Sequence, residues 1–238
     1  KYFFNHVKII AREPNMVDAS LSNSAYPRLL KFLYKKFMPK VDQVIVTSKA
    51  MKNDLIKRGI DKNKLFLAYN PVDENNLRKI KIVNRFKGNG LRFIIVGRLT
   101  YQKGIDRVFS IINDIEKCHL TIIGDGNQKN ELEKNILKLL IKNKVKFISF
   151  SDIANSYIAG ADYLLLPSRW EGLPNIALES LVLGTPVISF TQIVGLNDFL
   201  SRVSKNSIKL CENEFEMRKL LKSLKNRKDY ISPIVRDN

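Results

Sequence analysis

The chain has 238 residues, 45% apolar and 27% charged, and its 41 Lys and Arg against 23 Asp and Glu give a formal charge of +18. That apolar share excludes a disordered chain and allows one large or two modest domains, each with a real core. Two cysteines, Cys118 and Cys211, exclude a disulfide framework and a cysteine-rich zinc site, and point to a reducing compartment. No apolar run nears the ~20 residues that span a bilayer. Residues 1–6 precede no long apolar region, so no signal peptide is expected. The expected location is the cytoplasm, with peripheral contact at the inner face of a membrane.

In chain order, Val7–Ala11 reads as a strand and residues 26–38 as a helix. On that helix Leu30, Leu33 and Phe37 share one face, and Arg28, Lys31 and Lys35 another. Two readings stay open: the outer helix of a domain, or a helix resting on an anionic membrane. Gln43–Val46 is a strand; Ser48 caps a helix over 49–58 that Gly59 stops. Lys64–Ala68 is another strand. Asn70-Pro-Val-Asp73 breaks the order, 74–90 is polar, and a domain boundary is placed there. Strands at 91–96, 120–123, 145–148, 163–166 and 186–189 then alternate with helices from about Ile105, over 127–142, over 153–160 and from Pro174. Near-continuous apolar strands separated by helices mean a parallel sheet covered on both faces. Residues 212–230 read as a charged surface helix. The roughly 70 residues before the boundary are too few for a whole Rossmann-like domain, so they are expected to be the remnant of one.

In open parallel sheets, ligands bind beyond the carboxyl ends of the strands. At the first such turn, Gly97 ends a strand, Arg98 and Lys103 follow, and Gly104 precedes the next helix. Two cations beside a helix N-terminus suit a diphosphate; a solvated loop with two ordinary basic residues is the other reading. At the second, Glu171 precedes Gly172, Leu173, Pro174 and Asn175, whose free amides would face an anion at the start of a helix. Pro174 suits its first turn. Glu179 follows Glu171 by eight residues, which a helical rise turns into ~12 Å, a separation suited to two carboxylates holding different parts of one long ligand. Taken alone they are a capping Glu and a surface Glu. Gly124-Asp-Gly126 reads as a tight turn beside the same cleft. No Asp-x-Asp pair occurs to hold a divalent metal on phosphates. His119 is expected to be structural, and His6 has no assigned role. The positive charge fits either a coding bias toward Lys or attraction to an anionic partner. It forms no dense run with interleaved aromatics, so no nucleic acid is expected.

Together these residues resemble the carboxyl-terminal domain of retaining glycosyltransferases of family four, which have the two-domain GT-B fold. The matching residues are Gly97-Arg-Leu99 with Lys103-Gly104, Gly124-Asp-Gly126, Ala161-Asp162, Leu166-Pro-Ser168, Glu171-Gly-Leu-Pro-Asn175, Glu179 and Gly184-Thr-Pro-Val187. Arg12-Glu13, Ser48 and Asn70-Pro-Val-Asp73 resemble the later part of the amino-terminal domain. The resemblance implies an α/β protein of GT-B type: a truncated amino-terminal Rossmann-like domain over 1–73 and a complete nucleotide-sugar-binding Rossmann-like domain over 74–238. It implies that Arg98 and Lys103 hold a donor's diphosphate and stabilise the leaving nucleotide. Glu171 would contact the donor sugar. The backbone at Gly97 and over Gly172, Leu173, Pro174 and Asn175 would approach sugar and phosphate, and Glu179 would bond the ribose hydroxyls. The implied reaction moves a sugar, with retention, from a nucleotide-diphosphate sugar to a glycan or lipid-linked glycan in surface polysaccharide or lipopolysaccharide assembly. No metal or other cofactor is implied, and a separate amino-terminal fragment is an implied partner. Ser149 and Asn197-Asp198 depart from the family pattern. The alternatives are a non-catalytic nucleotide-sugar-binding remnant and, ranked last, a nucleic-acid binder.

Overall fold

A computed structural model describes residues 7–80 and 89–224; His6 and the part of the 212–230 helix beyond 224 lie outside them. The chain divides into two compact units. The smaller comprises Lys1–Pro71, Trp170–Pro174 and Ile193–Asp198, and the larger the rest, beginning at Val72.

The smaller unit carries a parallel sheet of β1 (Ile10–Glu13), β2 (Gln43–Val46) and β3 (Leu65–Leu67), with β2 in the middle. Around it lie α1 (Val17–Ser22), α2 (Pro27–Phe37) and α3 (Lys49–Lys57). Its core gathers Val17, Val44, Val46, Met51 and Leu55. Ser48 caps α3 as expected, accepting a bond from the Met51 amide at 3.2 Å. The strand expected over 7–11 is shifted toward the carboxyl end. Among the described residues β1 pairs with β2 alone, and pairing starts with Ile10 opposite Gln43, which draws Arg12 and Glu13 into the strand. Residue Ile9 instead exchanges bonds with Asp42, its amide donating to the carboxylate at 2.9 Å.

The larger unit opens with α4 (Glu74–Arg78), in a stretch the sequence showed only as polar; Asp73 caps it by accepting from the Asn76 amide. Next come β4 (Leu91–Val96), a 3-10 segment Ile105–Val108 running into α5 (Phe109–Asn113), β5 (Cys118–Ile123) and α6 (Lys129–Lys138). These are followed by β6 (Val145–Ile148), α7 (Ala154–Gly160), β7 (Tyr163–Leu166), α8 (Asn175–Val182), β8 (Val187–Phe190), β9 (Ile208–Cys211) and α9 (Glu214–Ser223). All six strands are parallel, in the order β6-β5-β4-β7-β8-β9. The chain winds outward from β4 to one side, then crosses back and winds outward from β7 to the other. Neighbours β4 and β7 therefore flank the point where the winding reverses, the place where such sheets take ligands. Strands β7 and β8 are buried along their whole length, as the apolar runs required. The sequence reading missed α1 and β9. The latter precedes α9, which Asn213 caps. Helix α8 starts at Asn175, one residue beyond Pro174, which stands just ahead of it.

Candidate functional site

The turn after β4 is built by close backbone approach. Gly97 has φ +152°, and a Cβ on Gly124 would collide with the Gly97 carbonyl. Only glycines let the turns after β4 and β5 meet so closely. The Leu99 amide then donates to the Asp125 carbonyl at 2.9 Å. Asp125 in turn accepts from the Phe150 amide at 2.8 Å, which holds its carboxyl below the usual range. So Gly124-Asp-Gly126 supports the Gly97–Leu99 backbone.

Lys103 folds back over Gly97: a Cβ placed there would lie 3.3 Å from the Lys103 Cε and 3.7 Å from its Nζ. Gly104 turns left-handed, with φ +59°, against the Pro167 carbonyl after β7. Arg98 is exposed, and no carboxylate among the described residues pairs with it. The other arginines nearby are committed: Arg107 to Glu214 at 2.9 Å, and Arg169 to Asp106 at 2.7 Å. The sequence reading passed over Arg169. It joins the turns after β4 and β7, its amide donating to the Gln102 carbonyl at 2.7 Å and its guanidinium to the Tyr101 carbonyl at 2.9 Å.

Along α8, Asn175 is exposed and Glu179 half-buried. Burial pushes the Glu179 carboxyl above its ordinary value, with no cation among the described residues to offset it. The larger unit thus places Gly97, Arg98 and Lys103 after β4, and Asn175 and Glu179 on the helix that follows β7. Because α8 begins only at Asn175, the helical rise counts from there, and the ~12 Å spacing expected from Glu171 does not apply.

Glu171, Gly172, Leu173 and Pro174 belong to the smaller unit and are buried. There Asn70 donates to the Leu173 carbonyl at 2.7 Å and is itself held by Arg12 at 2.7 Å. The Gly195 amide donates to the Gly172 carbonyl at 3.1 Å. Asp198, noted in the sequence only as a departure, accepts from the first amide of α3 at 2.7 Å. Of the other motif residues, Asp162 is buried and takes three bonds from Arg92 at the opposite edge of the sheet, so its role is structural. His119 lies within β5 opposite Arg92. Among the described residues no three His, Cys, Asp or Glu side chains gather as a metal-holding group.

Residues 77–227 match the family described as glycosyl transferases group 1. The chain belongs to that family. Residues 17–76 match glycosyltransferase family 4. An uncharacterized glycosyltransferase of Methanocaldococcus jannaschii is 30% identical over 197 residues, covering 78% of this chain and 48% of the relative. The amylovoran biosynthesis glycosyltransferase AmsD of Erwinia amylovora is 34% identical over 119 residues, 49% of this chain and 33% of its own. This group 1 chain therefore spans about half the length, or less, of these relatives. Among solved structures, Anabaena HepE in complex with UDP-glucose has a TM-score of 0.76 at 19% identity, over 92% of this chain and 63% of its own. WaaG, a glycosyltransferase involved in lipopolysaccharide biosynthesis, has a TM-score of 0.68 at 15% identity, over 92% and 66%. At these identities the likeness shows the shared GT-B fold.

Proposed function

We propose that this chain binds a nucleotide-diphosphate sugar and serves in its transfer, with retention, to a glycan or lipid-linked glycan acceptor of surface polysaccharide or lipopolysaccharide assembly. The observation that carries this reading is an exposed Arg98, with no carboxylate partner among the described residues, next in the chain to Gly97, over which Lys103 folds, at the carboxyl edge where the winding of the parallel sheet reverses. Family membership adds the reaction class.

In this reading Arg98 and Lys103 hold the diphosphate by charge-assisted hydrogen bonds. As the bond from the sugar's anomeric carbon to the diphosphate oxygen breaks, the electron pair stays on the diphosphate, and the two cations stabilise that growing charge. The acceptor's hydroxyl oxygen bonds to the anomeric carbon, and its proton passes to the departing diphosphate oxygen. Backbone at Gly97 and at Asn175, both in the larger unit, approaches the phosphates. Glu179 accepts from the ribose hydroxyls, which supply donors that no described residue gives its half-buried carboxylate. Transfer is tested by incubating the chain with UDP-glucose and candidate acceptors. Sugar-bearing product supports an enzyme; tight nucleotide binding with no product over many acceptors supports the non-catalytic alternative.

The Glu179 role has a definite sign with pH. Its carboxyl is raised in the folded protein, so unliganded stability is lost as pH rises from the ordinary carboxylate value through the raised one. Glu179→Gln is therefore expected to raise the neutral-pH melting temperature, on the order of 2 °C, and to leave it unchanged below the ordinary value. The same variant should bind UDP roughly 10-fold more weakly at neutral pH, since a hydrogen bond to a charged group is lost. Wild-type affinity should also climb more steeply than the variant's as pH rises through the raised value. Calorimetry at several pH values checks all three; parallel pH profiles would remove Glu179 from the site.

A second partner is an anionic lipid surface. No residue of α2 is buried, and Leu29, Leu30, Phe32 and Phe37 are all exposed. Beside α2 opens a cavity of about 380 Å³, lined by Lys31, Lys35, Lys57, Met38 and Ile60, with Arg58 there paired to Asp18 at 2.6 Å. Apolar side chains flanked by cations suit a headgroup boundary. Among the described residues no helix is long and apolar enough to cross a membrane, so the contact would be peripheral. The chain is expected to sediment with phosphatidylglycerol vesicles but not phosphatidylcholine vesicles, and to stay in solution when Lys31, Lys35 and Lys36 are changed to Glu.

A further inference from the structure

We propose that Arg169 and Asp106 act as a clamp that positions Lys103 for the second phosphate of the nucleotide. The inference rests on the donor-binding reading above and adds the residues that fix its flexible cation. Lys103 sits in a short 3-10 turn, Tyr101–Lys103, which has no side-chain cap. Its long side chain must lose rotamer freedom to hold one oxygen, and that loss is useful only if the backbone beneath it stays still.

The turn is fastened on both sides of Lys103 to residues that follow β7. Ahead of it, the Arg169 amide donates to the Gln102 carbonyl, and the Arg169 guanidinium to the Tyr101 carbonyl. The guanidinium also lies over the Tyr101 ring, 4.0 Å from its centroid. Behind it, Gly104 rests against the Pro167 carbonyl, which accepts from Arg107 at 3.1 Å. Asp106 completes the clamp by taking both guanidinium arms, at 2.9 and 2.7 Å. Burial acts to raise the Asp106 carboxyl, yet the bonds from Arg169 outweigh it and leave the carboxyl below its usual value. From the third side, the Gln192 amide group donates to the Ser168 and Arg169 carbonyls at 2.9 and 3.0 Å. A planar fork is needed to serve a carboxylate and a carbonyl together, which a lysine cannot do. Arg169 is thus a positioning residue that acts through Lys103.

The test titrates the chain with UDP and UMP and follows each variant's fold by circular dichroism. Arg169→Ala is expected to weaken UDP binding about 10-fold while UMP affinity stays within about twofold, and adding Lys103→Ala to it should cost little more. Arg169→Lys should recover only part of the loss. Asp106→Asn, which keeps the side-chain shape, should show the same selective loss if Arg169→Ala does not fold. A general loosening of the fold would lower UDP and UMP affinity together, and that result overturns the clamp. So does an Arg169→Ala effect that simply adds to that of Lys103→Ala, or unchanged UDP affinity in Arg169→Ala while Lys103→Ala is impaired; in that last case the donor-binding reading survives. A wild-type chain that binds no UDP, GDP or ADP overturns both.

Discussion

Replacing both Arg98 and Lys103 with alanine is expected to lower UDP affinity by about 10²–10⁴-fold, the loss of two charge-assisted hydrogen bonds at ~1.5–3 kcal/mol each. The fold should survive. Arg98 is exposed, without an ion-pair partner among the described residues, and Lys103 lies over a glycine rather than in the core. The melting temperature without ligand should therefore stay close to wild type, which separates a binding defect from unfolding. Each single change should cost roughly 10–100-fold by the same arithmetic. Losses below about threefold in calorimetry would mean that the diphosphate lies elsewhere. Salt should weaken wild-type binding more than that of the double variant, because exposed cations are screened.

The largest stability effect is expected at the other edge of the same sheet. Asp162 is 1% exposed and takes bonds from the Arg92 amide at 2.8 Å and from its guanidinium at 2.8 and 3.0 Å. The pair fastens the start of β4 to the start of β7, the two strands that flank the winding reversal. Asp162→Ala removes the buried carboxylate that the Arg92 amide and guanidinium bond, and should cost about 3–5 kcal/mol, as breaking a buried pair does. Urea unfolding reads this directly, as a lower midpoint at similar slope. A loss below 1 kcal/mol would show that the strands hold together without it. Asp162→Asn, which keeps one acceptor oxygen, should fall between.

Much of this was legible in the residues. Apolar runs such as Leu91–Val96 and Tyr163–Leu166 mark strands because both faces are buried, and their bounds agree with the structure. The glycines at 97 and 124 announced sharp turns, since φ of +152° and +149° is rarely open to other residues. What escaped had no local signal. Strand β1 is shifted because β2 sets its register, a contact more than thirty residues away. Short α4 hides in a polar stretch, held by one Asp73 cap. Arg169 looks like any surface arginine until the fold brings Asp106 and the Tyr101 carbonyl to it from some 60 residues upstream. The same holds for Asn70 and its bond to the Leu173 carbonyl. Long-range polar partners are invisible to a reading based on spacing.

The most direct test of the central claim is a map of backbone amide shifts in the ¹⁵N-labelled chain as UDP is added. Saturable changes should centre on residues 97–104 after β4 and 175–179 at the start of α8, and vanish in the Arg98→Ala, Lys103→Ala double variant. Shifts gathered at the opposite edge of the sheet, around Arg92 and Asp162, or a spectrum that UDP, GDP and ADP all leave unchanged, would contradict it.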